Sequence, residues 1–439
     1  LIEFTLFVAV LAGLVDLVRT FITIGYLPAP FVFDVSDTFM DWFNVAYWSH
    51  NPGAYDVWNS VYAPLSFVIT KFSGDPTCYM SAPKDARDCD WLGVVHILAI
   101  YVACVVATAF AFYRRDRSTA LFRTIGIAVG GPMLFALERG NLIMHAYLCF
   151  VLFYGGLVRS RIGQAIVGAL MINLKSYLLF PVLGLAVRRE WRTLELAGFA
   201  TVLIYLVTLI IIGSGTPFDL AHNLEVWFNL RAGTIWDEVL YSTTYKPYLL
   251  FDARQYPVRD FVDPQAVDIA KVVIEVEVFA SRAIAILCIA AAWFYPKAVS
   301  TGRIAFFILM QSFMNQNPGG YAISFVVFLV FLEDWKNARI GIALVACYLL
   351  LIPTDYTISV FYHYERASWL SGRLVDSAYG LGVGALVRPG LLVIMLWALA
   401  IDTLIDIHRA IRAGRPTLGL GALPPAPEQD PAAQEPLKA

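Results

Sequence analysis

Apolar residues in this chain fall in long blocks separated by basic clusters or by aromatic-rich polar stretches. A hydrocarbon core about 30 Å thick needs roughly 20 helical residues to cross it. Blocks of that character run Leu6–Tyr26, Leu92–Tyr113, Ala120–Ala136, Leu142–Val158, Thr193–Ile212, Val272–Tyr295, Ile304–Met314, Tyr321–Leu332, Ile340–Ile352 and Leu391–Ile407. The stretch Ile162–Val187 differs. It is apolar, yet Asn173 and Lys175 sit at its centre and Pro181 follows. Basic residues flank it at both ends: Arg159 and Arg161 before, Arg188, Arg189 and Arg192 after. This pattern predicts two short helices that dip into the membrane and return, with Lys175 at the apex.

Basic residues then set the orientation, because cytoplasmic loops are enriched in Lys and Arg. Clusters lie at Arg114–Arg117, Arg159–Arg161, Arg188–Arg192, Lys297–Arg303, Lys336–Arg339 and Arg409–Arg415. Counting the Lys175 hairpin as two passes puts every cluster on one face. The expectation is an all-α bundle of about eleven to twelve spans with both termini cytoplasmic. The first segment is too long for a signal peptide and lacks a small-residue cleavage site. Three long loops, Leu27–Asp90, Gly213–Lys271 and Pro353–Pro389, fall on the opposite face and are expected to carry short amphipathic helices. Residues 1–417 read as one transmembrane domain. Leu418–Ala439, rich in Pro, Ala and Glu, reads as a disordered cytoplasmic tail.

Composition agrees with the pattern. Of 439 residues, 59% are apolar and 15% charged, and mean hydropathy is +0.66. Soluble domains carry about 25% charged residues, so a soluble enzyme is excluded. A net charge of −2 speaks against a nucleic-acid partner. Cys104, Cys149, Cys288 and Cys347 lie in apolar blocks. Cys78 and Cys89 lie in the first external loop, where an oxidising compartment lets them pair; otherwise they are two loop thiols.

Candidate chemistry collects on the external face. Asp37 and Asp41 are four residues apart and share a face if their segment is helical, with Trp42, Val45 and Trp48 directed to the membrane interface. A carboxylate aimed at a cavity there removes a proton from a hydroxyl; alternatively Asp34 and Asp37 are helix N-caps. Glu138, Arg139 and Asn141 end the third block and cannot face lipid cheaply; Arg139 either pairs with an acid or binds a ligand. His145 follows one turn later, a packing histidine or a substrate contact. Lys175 is a cation at membrane depth, matched by an anion such as a lipid phosphate, with Tyr177 beside it; the alternative is snorkelling or a buried acid. Asp16 and Arg19, three apart in the first block, read as a neutralising pair. Tyr245, Lys246 and Arg254 in the second loop and Arg366 in the third suit a sugar-phosphate site, since rings stack on sugar faces and Arg grips phosphate. Asn315–Tyr321, N-Q-N-P-G-G-Y, is an irregular break that survives in a membrane only where it lines a cavity or is covered. No metal-ligand spacing, P-loop or dinucleotide fingerprint is present.

The order D-W-F-N-V-A-Y-W, N-P-G-A-Y and Y-A-P-L in the first loop, then R-G-N at Arg139–Asn141 and K-S-Y-L-L-F-P from Lys175, resembles the GT-C superfamily of integral-membrane glycosyltransferases. Within it the chain looks most like the bacterial polyprenyl-phosphate-mannose-dependent mannosyltransferases. The matching features cover the first half of the chain. Where that family often carries a Trp/His-containing segment, this chain has G-G-Y. The resemblance implies a general base at Asp41, with Asp37 second, and Lys175 near the donor phosphate. It implies a polyprenyl-phosphate sugar as donor, a glycan or glycolipid as acceptor, inversion, and no metal or cofactor. The reaction would occur on the external face of a bacterial inner membrane. Two other readings stay open: a polymerase joining lipid-diphosphate-linked repeat units, using Arg pairs such as Arg254 and Arg259 or Arg366 and Arg373, and a lipid-linked-sugar flippase.

Overall fold

The computed structural model describes residues 2–31, 34–216, 218–230, 242–250, 263–314 and 319–413. The chain is a multi-pass helical membrane protein. Among the described residues, four helices are long and apolar enough to span: Ile2–Ile24 (α1), Trp91–Arg115, Trp191–Ile212 and Val383–Arg412. A fifth span is formed if Ala120–Ala128 and Gly131–Glu138 count together; they bend by 41°. The break has a local cause. Pro132 lacks an N–H to continue the ladder, and a Cβ at Gly130 would stand 2.6 Å from both the Gly126 carbonyl and Leu351. Shorter apolar helices include Ile143–Tyr154, Arg161–Leu174 and Ala338–Leu351. Ile323–Phe331 is buried on every side, so it is a central helix rather than a lipid-facing one.

The Ile162–Val187 stretch is broken as its sequence predicts. Arg161–Leu174 ends at Lys175, and the short turns Ser176–Leu178, Leu179–Val182 and Gly184–Val187 carry the chain onward. Asn173 is spent locally: its amide donates to the Ala169 and Thr201 carbonyls. Both flanks of the hairpin lie at one end of the bundle. Arg114 donates to the Gly156 carbonyl on one side, and Arg188 to the Pro296 and Val299 carbonyls on the other.

Two ion-pair centres mark the two ends. At one, Glu3 at the start of α1 grips Arg123, and Arg303 grips Glu333 and Asp402. At the other, Tyr26 just past α1 donates to Glu138 at 2.6 Å. The helix Ala120–Glu138 therefore runs alongside α1 in the same direction.

The loops correct the all-α expectation. The third loop forms an antiparallel hairpin, Thr357–Ala367 (β1) with Leu374–Gly382 (β2). Its T-I-S-V-F-Y-H-Y run is rich in β-branched and aromatic residues, which favour a pleated surface. The first loop does carry helices, Met40–His50 (α2), Pro64–Phe72 and Pro83–Cys89. Cys78 and Cys89 form a disulfide. The helix after the second loop starts at Pro264 rather than Val272. Asp16 and Arg19, both exposed, form no ion pair with each other among the described residues. The C-terminal segment 418–439 lies outside the described residues.

Candidate active site

The site is assembled by two backbone hydrogen bonds between distant segments. Phe39 N–H donates to the Glu138 carbonyl at 2.8 Å, and Asp41 N–H to the Arg139 carbonyl at 3.0 Å. They dock the start of α2 onto the E-R-G-N turn. Gly140 permits this approach: its φ is +62°, and a Cβ there would lie 3.2 Å from Phe39 Cα and Trp42 Cβ. Phe39 is itself left-handed, with φ 63°. A non-glycine residue in that region costs about 1–3 kcal/mol and needs surrounding structure to hold it. Neither Asp34 nor Asp37 caps α2, since Phe39 holds the cap position without a side-chain bond. Asp34 instead accepts from Ser36 and from Arg366.

Asp41 emerges from the first turn of α2 into a polar cluster. Asn141 Nδ2 donates to Asp41 Oδ2 at 2.6 Å. The direction of that amide is fixed because Asn141 Oδ1 accepts from Ile143 N–H at 2.8 Å, at the start of the next helix. Arg139 Nη2 pairs with Asp41 Oδ1 at 3.1 Å and also with Asp37. Its other nitrogens make no hydrogen bond among the described residues. Burial pushes the Asp37 carboxyl above its usual range; Arg139 opposes this and the Asp41 charge adds to it.

Lys175 faces the same cluster. Its ammonium lies 4.5 Å from the Tyr62 ring centroid, and Asp41 is within electrostatic reach of it. Among the described residues no carboxylate comes within ion-pair distance of Lys175. Tyr62 and Tyr321 both approach Asp41 and Asn141, and Tyr177 lies near Tyr321. The Tyr177 hydroxyl and Glu138 Oε2 are buried without a hydrogen-bond partner. The cluster thus holds a paired carboxylate, an unpaired ammonium, spare guanidinium donors and three tyrosines. It can abstract a proton at one side and hold an anion at the other.

Other sequence candidates lie elsewhere. His145 Nε2 is 2.8 Å from His96 Nε2, and both rings stack with the buried Trp42. Trp42 and Val45 are buried in the protein rather than turned to the interface. Tyr245 donates to the Leu386 carbonyl at the head of Val383–Arg412, and Lys246 is exposed in the adjoining turn. Arg366 joins β1 to Asp34. Arg254 lies outside the described residues, as do Arg259 and residues 315–318.

No family model matches the chain, and no curated protein or solved structure matches it either. Among the described residues no three His, Cys, Asp or Glu side chains converge as a metal site. Sequence reasoning missed Tyr62 and Tyr321, although both sit in quoted motifs, Y-A-P-L and G-G-Y. It also missed Arg87, whose guanidinium donates to the Ser36 and Thr38 carbonyls and so clamps the approach to α2. Arg87 stands in the polar run between the disulfide cysteines and carries no periodic signal.

Proposed function

We propose that this protein is a membrane glycosyltransferase that moves a sugar from a polyprenyl-phosphate donor to a glycan or glycolipid acceptor. In this reading the bundle is of GT-C type, its shorter apolar helices complete about eleven to twelve passes, and the Asp41 end faces outward from a bacterial inner membrane. Asp41 takes the proton from an acceptor hydroxyl. The oxygen attacks the anomeric carbon from the face opposite the leaving group, the C–O bond to phosphate breaks, and configuration inverts. Lys175 and the spare donors of Arg139 receive the charge left on the lipid phosphate. Phosphate is a good leaving group, so positioning and charge stabilisation supply most of the rate enhancement.

The observation that carries the reading is the placement of Asp41 and Lys175 around one polar cluster, though they are far apart in sequence and come from a loop helix and a broken membrane hairpin. An unpaired ammonium there calls for an anion. The polymerase reading is weaker because Arg366 and Arg373 already have structural partners: Asp34 for one, the Ile22 and Thr23 carbonyls for the other. A flippase has no need of a carboxylate held at hydrogen-bond distance by Arg and Asn. The test is reconstitution in liposomes with radiolabelled polyprenyl-phosphate sugars and a panel of membrane glycolipid acceptors. A new glycosidic product, lost in Asp41→Asn, supports the proposal. Label crossing the bilayer with no product in any combination would refute it.

A further inference from the structure

The Lys175 ammonium sits 4.5 Å from the Tyr62 ring centroid, without an ion pair among the described residues. The face of an aromatic ring attracts a cation through its quadrupole. Unlike a carboxylate, a ring adds no opposite charge, so a cation held this way keeps its attraction for an anion. The far end of the same side chain reaches the carboxylate side of the cluster: the Tyr62 hydroxyl approaches Asn141 and Asp41.

The backbone of Tyr62 is fixed on both sides. Its N–H donates to Ser60 Oγ at 3.2 Å, and its carbonyl accepts from the Tyr55 hydroxyl at 3.0 Å. Tyr55 and Ser60 are themselves tied together. The buried Asn223 amide donates to the Tyr55 and Ser60 carbonyls at 2.9 and 3.1 Å, and Ser60 N–H donates to the Ala54 carbonyl at 3.1 Å. Asn223 belongs to Asp219–Leu230, a helix of the second loop. Just beyond Tyr62, Pro64 opens the helix Pro64–Phe72, where its fixed φ suits a first turn. The Tyr55 ring packs edge-on against Phe67 of that helix, with centroids 5.7 Å apart. Two loops, distant in sequence, thus converge on the direction of one ring.

We propose, on the reading of Lys175 as the donor-phosphate contact, that Tyr62 is a positioning residue: its ring holds the Lys175 ammonium toward the Asp41 cluster while leaving the charge available to an anion. The contacts run in series. Asn223 fixes the Tyr55–Ser60 turn, that turn fixes Tyr62, and Tyr62 aims Lys175. The second loop thereby acts on the site without touching the reacting atoms. A purely structural tyrosine has a different signature: its loss lowers stability and leaves the chemistry of the ammonium as it was.

The experiment uses the full chain in lipid nanodiscs. Tyr62→Phe and Tyr62→Leu both lack the hydroxyl, so their comparison isolates the ring. Acylation of Lys175 by a small amine reagent, read by mass spectrometry with no substrate present, reports on the ammonium directly. Only the neutral amine reacts, and the ring favours the charged form. Tyr62→Leu should therefore acylate severalfold faster than Tyr62→Phe. Asn223→Ala keeps the ring and loosens its clamp; it should also acylate faster than the wild type, and it stands in where Tyr62→Leu folds poorly. With a polyprenyl-phosphate sugar as donor, Tyr62→Leu should show a donor KM about tenfold above that of Tyr62→Phe, the scale of a desolvated cation–ring contact, at similar kcat. In a Lys175→Met background that difference should vanish, because the two residues act as one unit. Equal acylation in Tyr62→Leu and Tyr62→Phe overturns the proposal, as does Asn223→Ala at the wild-type rate where Tyr62→Leu does not fold. A KM difference that persists in Lys175→Met overturns it too. A wild type that transfers no sugar removes the glycosyltransferase reading instead, and acylation then settles the role of Tyr62 by itself.

Discussion

Arg303 and Arg139 are both guanidinium groups buried among carboxylates at helix ends, yet their surroundings differ. Arg303 uses all three nitrogens: Nε and Nη2 on Glu333 at 2.8 and 2.9 Å, Nη2 also on Asp402 at 2.9 Å, and Nη1 on Thr403 and Asp406 at 3.4 Å. Asp402 is further held by Asn337 and Arg339. Arg123 beside it is equally occupied by Glu3 and two carbonyls. Among the described residues, Arg139 places a single nitrogen between Asp37 and Asp41, while Glu138 Oε2 and the Tyr177 hydroxyl stay unbonded nearby and Lys175 rests only on a ring. A network whose donors and acceptors are matched ties helices together. One that leaves buried polar atoms unmatched gains by binding something that matches them. The difference separates scaffold from site without reference to any relative.

The comparison can be broken by exchanging the consequences of mutation at the two ends. The largest effect is expected for Asp41→Asn, which should lower sugar transfer by about a hundred- to ten-thousand-fold, the span of general base catalysis. Its melting temperature should stay near that of the wild type, because Arg139 keeps Asp37. Measured turnover together with a thermal melt checks this; a large melting shift would make Asp41 part of the scaffold. Arg303→Ala should do the reverse. It strands the Glu333 carboxylate, leaves Asp402 to Asn337 and Arg339, and should cost about 3–5 kcal/mol of stability, read as a strong drop in melting temperature and folded yield, with residual turnover per folded molecule retained. Replacing both Cys78 and Cys89 with Ser opens the clasp next to Arg87 and should cost about 2–4 kcal/mol. Limited proteolysis of the first loop should then cut faster than in the wild type.

The smallest effect concerns pH. The Asp37 carboxyl is raised in the folded protein, so its contribution to stability is full below the usual carboxylate range of about 4 and fades as pH rises through the folded value. Asp37→Asn should flatten the decline in melting temperature as pH rises above about 4. Equal slopes in the two proteins would remove Asp37 from the account.

Much of the fold was legible in the sequence because lipid permits few solutions. A block such as Trp91–Arg115 has to be a helix, since its backbone groups find no water in the bilayer. Lys175 at the middle of an apolar stretch with basic flanks announced a break, and the break is there. The β-hairpin was not legible. Thr357–Ala367 carries the composition of a strand but stands in a loop whose position suggested amphipathic helices, and its pairing with Leu374–Gly382 is a tertiary fact. In the site, Asp37, Asp41, Arg139, Asn141 and Lys175 were all visible as polar residues near apolar blocks. Tyr62 and Tyr321 were not, because a tyrosine near an interface is ordinary. His145 looked like a site residue only because it follows the E-R-G-N turn, and its helix turns it toward His96 and Trp42 instead.

The sequence alone determined that this chain lives in a membrane, where its polar intrusions lie, and that Cys78 and Cys89 share a loop. These follow from local properties: hydropathy, charge placement and chain distance. Only the tertiary structure decided that Asp41 accepts from Asn141, and that Arg139 is shared between two carboxylates while Arg303 is saturated. Those outcomes depend on directions of side chains brought together from distant segments. Such directions are set by packing, by two backbone hydrogen bonds and by a glycine with no Cβ in the way.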